Sequence, residues 1–278
     1  MSSNRTTSWS AFDKYIDDPA ENYERHFVPA IGTPFARPLL EAARLRPGEL
    51  LLDVACGTGI AARLAADAVG PTGKIAGLDL NPLMLDVARR VTAEGSPTQT
   101  AIEWHQGNAE ELPLPDESFD AVVCSLSLQF FSDKVAALRE IRRVLAPGGR
   151  AVLGTPGPTP PVFRALDAVL GRHMGAEASM FVRTVFSLHE PAEIRDLLER
   201  AEFSDVEAQR HPLSLRVAPP ADFLWQYVQS TPLSAAAAQL DDDARAALER
   251  DAVAQCQPFV DGEAIVMDPG LLIATANV

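Results

Sequence analysis

The chain has 278 residues, of which 47% are hydrophobic and 22% are charged, as in globular proteins with a buried core. This composition excludes a disordered chain, a collagen-like fibre and a small disulfide scaffold. Acidic residues number 38 against 24 basic ones, so the formal net charge is −14 and the surface repels nucleic-acid phosphates and anionic lipid. A nucleic-acid partner is therefore not expected.

Cysteine usage and hydropathy point to a compartment. The cysteines, 3 in all, are widely separated and lack the paired spacing of a zinc site or redox motif. Their odd number favours a reducing cytosol, and no metal site is expected. Residues 1–10 are polar, and no stretch approaches the ~18 apolar residues of a membrane span. The sequence predicts a cytoplasmic protein without membrane insertion, and a homodimer is compatible with it.

The first half of the chain reads as a cap followed by an α/β core. Residues 1–48 carry many aromatic side chains and are expected to form helices that cap a pocket. From residue 50, β-branched or leucine-rich runs alternate with helical patterns, which is typical of a parallel sheet built from βαβ units. A helix over 133–145, with Ser132 as its N-cap, precedes the fifth strand. The predicted strands are 50–55, 74–79, 101–106, 119–124 and 150–155.

The second half is less regular. Prolines break the alternation after the fifth strand, and residues 156–190 are interpreted as an insertion over the edge of the sheet. The pattern then resumes with a helix near 191–201 and a strand from 203 to about 210. A helical segment over 221–257 and a last strand at 270–275 complete the chain.

The strongest local signal is the run L-L-D-V-A-C-G-T-G-I at residues 51–60, where a strand leads into a glycine turn and then a helix. Glycines let a ligand lie against the backbone, and the helix N-terminus offers free N–H groups. Asp79 ends the second predicted strand, about 20 residues after the turn, where a carboxylate can accept both hydroxyls of a ribose. Together these features predict an adenosine-containing ligand.

Two kinds of cofactor share these features. The spacing Gly57-x-Gly59-x-x-Ala62 satisfies the relaxed dinucleotide fingerprint, which would indicate a nicotinamide-dependent oxidoreductase. However, Asp53 would lie unfavourably beside a pyrophosphate and favourably beside an ammonium group; its alternative role is to cap a helix. The segment at 107–120 follows the third strand, where an adenine would lie. These observations favour S-adenosyl-L-methionine, which has an amino-acid end and no phosphate.

Four motifs in order carry a family resemblance. They are D-V-A-C-G-T-G at 53–59, G-L-D-L-N-P-L-M-L at 77–85, the segment 107–120 and L-R-E-I-R-R-V-L-A-P-G-G at 138–149. The chain resembles class I S-adenosylmethionine-dependent methyltransferases over about residues 45–155, and most of all the branch that contains the ubiquinone and menaquinone biosynthesis enzymes. The resemblance implies a Rossmann-like α/β fold, with a seven-stranded mostly parallel sheet, helices on both faces and helical cap segments.

The resemblance also implies roles for individual residues. Asp79 would bind the ribose, and Leu80 and Met84 would cover one face of the adenine. Asn108 and Ala109 would hold the adenine edge; the family usually has Asp where Asn108 stands, and an Asn carbonyl can accept the same bond without charge assistance. The residues expected around the methionine moiety are Asp53, Ala55, Cys56, Gly57 and Gly59. Ser125 is expected beside the cofactor and Gln129 beside the cofactor or the acceptor.

Methyl transfer is an in-line displacement on a sulfonium, so the protein mainly aligns the acceptor and excludes water. Carbon and phenol acceptors can also need a general base, for which Tyr23 and His26 are selected, with packing as the alternative role of His26. Tyr15 is a candidate for substrate binding. Tyr227 is expected in the core of the C-terminal helices or in the wall of the acceptor pocket.

The sequence thus predicts methyl transfer to a small-molecule acceptor, either a quinone-type compound or a natural product of secondary metabolism. The alternatives are a protein that keeps this fold as a cyclase or partner subunit, and the oxidoreductase. The whole chain, 1–278, is interpreted as one methyltransferase domain. Its parts are an N-terminal helical cap (1–48), a cofactor-binding core (49–155), a cap insertion (156–190) and the C-terminal half of the sheet (191–278) with a helical insertion (219–262).

Overall fold

A computed structural model describes residues 18–95 and 100–278, and it confirms the predicted seven-stranded, mostly parallel sheet. The strands of this sheet are β1 (Leu50–Val54), β2 (Lys74–Asp79), β3 (Ala101–Gln106), β4 (Phe119–Ser125), β5 (Leu145–Pro156), β6 (Ser204–His211) and β10 (Leu271–Asn277). The strand order is β3-β2-β1-β4-β5-β10-β6, and β10 runs antiparallel to both of its neighbours.

Helices cover both faces of the sheet, and their buried apolar residues form two cores. One core contains residues of α2, α3, α6, α9 and α11, and the other contains residues of α5 and α8. The helices are α1 (Pro19–Asn22), α2 (Thr33–Ala43), α3 (Ile60–Val69), α4 (Pro82–Glu94), α5 (Lys134–Val144), α6 (Pro161–Met174), α7 (Ala176–Val185), α8 (Pro191–Arg200), α9 (Pro220–Gln229), α10 (Leu233–Ala237) and α11 (Asp242–Cys256).

The N-terminal part of the described chain is one helical stretch with a wider middle turn. Tyr23–Gly32 is a π-helix that connects α1 to α2, and it contains Pro29. Two ion pairs attach this stretch to α3 and α4, the helices that follow β1 and β2. Glu24 contacts Arg63 of α3 at 2.7 Å, and Glu21 contacts Arg90 of α4 at 2.6 Å. The π-helical geometry was not predicted from the sequence.

A second, smaller sheet is the main feature that the sequence pattern did not predict. Its strands are β7 (Leu215–Val217), β8 (Val260–Asp261) and β9 (Ala264–Met267), in the order β7-β9-β8 and all antiparallel. These strands have two to four residues, too few for a recognisable alternation. Its buried side chains belong to the core that also contains residues of α2, α3, α6, α9 and α11; they are Leu215, Val217, Ile265 and Met267.

The N-cap of α5 is Asp133, one residue later than predicted. The Asp133 carboxylate accepts a hydrogen bond from the Ala136 backbone N–H at 2.9 Å, whereas Ser132 lies outside the helix. A carboxylate reaches this orphan N–H and also complements the positive helix end. The predicted cap at Ser132 was therefore wrong by one position.

The cap bond of Asp133 should contribute to the stability of the fold. We expect Asp133→Ala to lower the free energy of unfolding by about 1 kcal/mol, since it removes the cap bond. Ser132→Ala, the matched control, is expected to change it by less than about 0.5 kcal/mol. Urea unfolding of both variants checks this; an equal loss in both would contradict it.

Candidate active site

The carboxyl ends of the parallel strands open into a single cleft, as expected where helices follow strands on both sides of a sheet. The cavity has a volume of about 500 Å³. One end is formed by the turn after β1 and the end of β2. The π-helical segment lines the wall beside that turn, where Tyr23 lies next to Gly57, and the other end is formed by α6, α7, α9 and the strand β9. The predicted site residues that line it are Tyr23, Ala55, Gly57, Asp79, Leu80, Met84 and Gln129.

The turn after β1 is built from left-handed backbone conformations. Ala55 and Gly57 both have φ of 55° and both line the cavity. Ala55 is strained there because its Cβ disfavours positive φ. Leu126, directly after β4, has φ of 57° and also lines the cavity. Strained residues thus follow two neighbouring strands at the same edge of the sheet, an arrangement that is typical of binding sites.

Asp79 holds the turn and faces the cavity. Its Oδ2 accepts a hydrogen bond from the Gly57 N–H at 2.8 Å, and its Oδ1 accepts one from the Asn81 N–H at 2.9 Å. Burial raises the pKa of Asp79, while these backbone donors act in the opposite direction. Each carboxylate oxygen has a second lone-pair site, so both can still accept a hydroxyl. The residues at this end therefore fit the ribose of an adenosine.

Apolar side chains flank Asp79. Leu80 is 67% exposed although it is a large hydrophobic residue, and it lines the cavity together with Met84 of α4. An exposed leucine next to a ribose-type carboxylate can cover the face of a planar base. Asn108 and Ala109 are not among the lining residues: Asn108 is exposed, and its side-chain oxygen accepts from the Glu110 N–H at 3.0 Å.

Asp53 lies beneath the turn rather than in the cavity. It is 1% exposed, and its Oδ2 accepts a hydrogen bond from the N–H of Ala62, in the first turn of α3, at 3.1 Å. The carboxylate therefore caps α3 from the end of β1, which was the alternative role considered for it. The pKa of Asp53 is raised to about 7, and burial is the largest cause. The Ala62 bond acts in the opposite direction, and the nearby Asp79 carboxylate adds to the increase.

The raised pKa of Asp53 makes stability depend on pH. Unfolded Asp has a pKa of about 3.9, so between about pH 4 and 7 the unfolded state releases this proton while the folded state keeps it. The contribution of Asp53 to stability therefore falls as pH rises through that window. We expect Asp53→Asn to gain on the order of 2–3 kcal/mol relative to the wild type between pH 4 and 8, measured by urea unfolding. Parallel pH curves would contradict this.

The close approach of the Trp104 side chain requires a glycine at position 59. A Cβ on Gly59 would come within 2.2 Å of Trp104 Cη2, and one on Gly77 within 2.4 Å of Trp104 Cζ3. The indole of Trp104, on β3, thus packs over both glycines. Gly59, Cys56 and Ser125 are not among the cavity-lining residues.

The two candidate bases occupy different positions. Tyr23 lines the cavity, stacks on Phe27 with ring centroids 4.6 Å apart, and lies next to Gly57. Burial and the carboxylates of Asp79 and Asp53 raise the pKa of Tyr23, which disfavours the deprotonated form that a general base needs. His26 is on the same π-helix but is not among the lining residues. Tyr15 lies outside the described residues.

An aromatic wall closes the far end of the cavity. Phe163 of α6 packs against Phe186 at 5.0 Å and against Tyr227 of α9 at 5.2 Å between ring centroids. Phe130 stacks on Phe181 of α7 at 5.9 Å. All of these line the cavity, but only Tyr227 was considered for it from the sequence. Their helical spacing is the same as that of ordinary core residues, so no sequence signal separated them.

Within residues 18–95 and 100–278, no group of three or more His, Cys, Asp or Glu residues could hold a metal ion. No helix in the described part of the chain is both long and apolar enough to span a membrane.

Fold and site together define a Rossmann-like protein with a nucleoside-type cleft and an antiparallel last strand. Comparisons identify its family. A family model described as a methyltransferase domain matches residues 52–153. A demethylmenaquinone methyltransferase of Staphylococcus aureus is 32% identical over 200 residues, which cover 68% of this chain and 79% of that protein. The chain therefore belongs to the class I S-adenosylmethionine-dependent methyltransferases.

Further comparisons agree with this assignment. A demethylmenaquinone methyltransferase of Symbiobacterium thermophilum is 40% identical over 140 residues, which cover 49% of this chain and 55%, about half, of that protein. The solved phosphoethanolamine N-methyltransferase 2 of Haemonchus contortus, in complex with phosphomonomethylethanolamine and S-adenosylhomocysteine, has the same fold. Its TM-score is 0.59 at 19% identity, and the match covers 98% of this chain and 58% of that one. The enzyme is an S-adenosylmethionine-dependent methyltransferase, and the oxidoreductase alternative is set aside.

Proposed function

We propose that the enzyme transfers a methyl group to a small, uncharged aromatic acceptor, either a quinone-type hydroxyaromatic compound or a natural-product intermediate. The observation that carries this proposal is the single cavity that joins Asp79 and Gly57 at one end to Phe163, Phe186 and Tyr227 at the other. A cofactor at the first end and an aromatic ring at the second would share one enclosed space. The demethylmenaquinone methyltransferase relatives support the quinone-type alternative.

The chain's own residues mainly bind and orient. Asp79 would accept the ribose hydroxyls, and Leu80 and Met84 would cover the base. The chemistry supplied by bound S-adenosylmethionine is an electrophilic methyl group on a sulfonium. Because in-line displacement needs alignment and a dry site, the aromatic wall would hold the acceptor flat and exclude water.

The charge of the lining supports an uncharged acceptor. Among the described residues that line the cavity, none is Lys, Arg or His, and Asp79 is the carboxylate present. A phosphate such as that of phosphomonomethylethanolamine, which the Haemonchus contortus enzyme binds, would have no cationic partner here. Burying an unpaired phosphate is costly, so phosphorylated acceptors are disfavoured.

An acceptor panel tests the proposal. The enzyme is incubated with S-adenosylmethionine and one of 2-prenyl-1,4-dihydroxynaphthalene, 1-naphthol or phosphoethanolamine, and S-adenosylhomocysteine is quantified. We expect turnover with at least one hydroxyaromatic compound and none with phosphoethanolamine. Turnover with phosphoethanolamine alone would overturn the uncharged-acceptor proposal. Tight cofactor binding without turnover across a wide panel would favour the cyclase or partner-subunit alternative.

The proposal extends to organisation and location. We propose one catalytic domain in which the helices around 19–43, 161–185 and 220–256 close over the sheet. A cytoplasmic location is supported by three buried free thiols, Cys56, Cys124 and Cys256, which suit a reducing compartment. The charge of −14 supports an enzyme without a nucleic-acid partner. A homodimer is tested by light scattering.

A further inference from the structure

Three residues that line the cavity each carry a buried side-chain polar atom that has no hydrogen-bond partner among the described residues. These atoms are the Tyr227 hydroxyl, the Ser230 hydroxyl and the side-chain carbonyl oxygen of Gln129. The three side chains are only 5%, 3% and 4% exposed, respectively. Buried polar groups are normally paired, because an unpaired one lowers the stability of the folded protein. Three such groups on one cavity therefore indicate a ligand that supplies the missing partners.

Other polar side chains on the same cavity are satisfied within the protein. The Ser127 hydroxyl donates to the Ser125 carbonyl at 2.9 Å, and the Thr231 hydroxyl donates to the Val228 carbonyl at 3.2 Å. The side-chain oxygen of Asn81 accepts from the Leu83 N–H at 3.0 Å. The unpaired state is thus a property of Tyr227, Ser230 and Gln129 rather than of the cavity in general.

The unpaired atoms specify what the ligand must carry. The Gln129 amide nitrogen donates to the Leu126 carbonyl at 2.9 Å, which leaves the amide oxygen as an acceptor that needs a donor. The hydroxyls of Tyr227 and Ser230 can each donate or accept. A ligand hydroxyl satisfies both requirements, since it donates one hydrogen bond and accepts others.

The surroundings of Tyr227 specify the rest of the ligand. Its ring lies at the centre of an aromatic cluster, with centroids 5.2 Å from Phe163, 6.1 Å from Phe223 and 6.4 Å from Phe181. Aromatic side chains prefer flat aromatic partners, in offset or edge-to-face contacts. None of the described lining residues carries a positive charge that could pair with an anionic ligand.

We propose that Tyr227, Ser230 and Gln129 bind the hydroxyl-bearing edge of a flat, uncharged aromatic acceptor, and so determine which acceptors the enzyme accepts. This inference rests on the proposed function, because it assigns the far end of the cavity to the acceptor. Tyr227 and Ser230 lie outside the segment matched by the methyltransferase family model, residues 52–153.

Binding of a matched ligand pair tests the assignment without turnover. Calorimetry in the presence of saturating S-adenosylhomocysteine measures the affinities of 1-naphthol and naphthalene, which differ by one hydroxyl. We expect the wild type to prefer 1-naphthol by about tenfold, the value of a well-made neutral hydrogen bond. Tyr227→Phe, Ser230→Ala or Gln129→Leu should reduce that preference to about threefold or less in at least one variant, with naphthalene affinity nearly unchanged. No hydroxyl preference in the wild type would overturn the assignment.

Thr155→Val is the matched control. The Thr155 hydroxyl is also buried and unpartnered, but Thr155 does not line the cavity. We expect it to keep the wild-type preference for 1-naphthol. A preference that is unchanged in all three cavity variants, or lost equally in Thr155→Val, would overturn the proposal.

Thermal unfolding separates binding from a structural role. Tyr227→Phe removes an unpaired buried hydroxyl, so its melting temperature should be unchanged or higher; a clear decrease would indicate a structural hydroxyl and overturn the proposal. Cofactor binding is measured in the same samples. If S-adenosylhomocysteine fails to bind the wild type, the proposed function fails; if it binds and the naphthol preference does not respond to the variants, only the acceptor assignment fails.

Discussion

Asp79→Ala is expected to weaken the binding of S-adenosylmethionine and S-adenosylhomocysteine by at least about 100-fold. In the proposed cofactor site Asp79 would accept two ribose hydroxyls, and each hydrogen bond to a charged group contributes about 1.5–3 kcal/mol. The substitution also removes the acceptor of the Gly57 N–H, which the carboxylate binds at 2.8 Å. Isothermal titration calorimetry with both ligands measures the effect directly.

The control for this prediction is Asp86→Ala, which removes the same charge from α4. Asp86 pairs with the exposed Arg89 at 2.9 Å and does not line the cavity. The affinity of the Asp86→Ala variant for the cofactor should therefore stay within about twofold of that of the wild type, since exposed ion pairs have small effects. A nicotinamide dinucleotide is the control ligand. If it binds more tightly than S-adenosylmethionine, or if Asp79→Ala binds normally, the position assigned to the ribose is wrong.

Gly59→Ala is expected to destabilise the fold by about 3–4 kcal/mol. The new Cβ would lie 2.2 Å from Trp104 Cη2, on a backbone with φ of +84°. Overpacking costs about 1–3 kcal/mol, and a left-handed non-glycine residue costs about 1–2 kcal/mol more. Urea unfolding and thermal melting both measure the loss.

Gly148→Ala separates the two causes. Gly148 has φ of +80°, and a Cβ there would meet nothing within 4 Å, so this variant carries the backbone cost alone. We expect it to lose about 1–2 kcal/mol. Combining Gly59→Ala with Trp104→Leu should recover part of the larger loss, because the indole is removed. Equal losses in the two alanine variants would show that Trp104 is not the constraint at Gly59.

The cofactor end of the site could be predicted from the sequence because its signals are local. A strand, a glycine turn and a helix follow one another within residues 50–69, and Asp79 ends the adjacent strand. The contact between Asp79 and Gly57 follows from the parallel pairing of β1 with β2. Those residues predict both the sheet and the carboxylate that faces the cavity.

Contacts between distant residues were beyond this kind of prediction. Gly59 is predicted to bind the ligand. The structure adds that the indole of Trp104, which is far away in the sequence, leaves no room for a side chain at position 59. Asp53 is predicted as an ammonium partner, and the bond from the Ala62 N–H to its Oδ2 is a contact that the sequence did not single out. The aromatic wall could not be predicted from the sequence, because a phenylalanine such as Phe163 has the same helical spacing whether it packs in a core or lines a cavity.

The division of the cavity between two parts of the chain has a consequence for how such an enzyme can diversify. In the proposed arrangement the cofactor lies on a short central segment that includes Ala55 and Met84, whereas the aromatic wall comes from later segments that include Phe163, Phe186 and Tyr227. Substitutions at well-separated sites act nearly independently. If the wall holds the acceptor as proposed, mutations there can change acceptor choice while the cofactor site remains intact, so one scaffold can give rise to enzymes with new substrates.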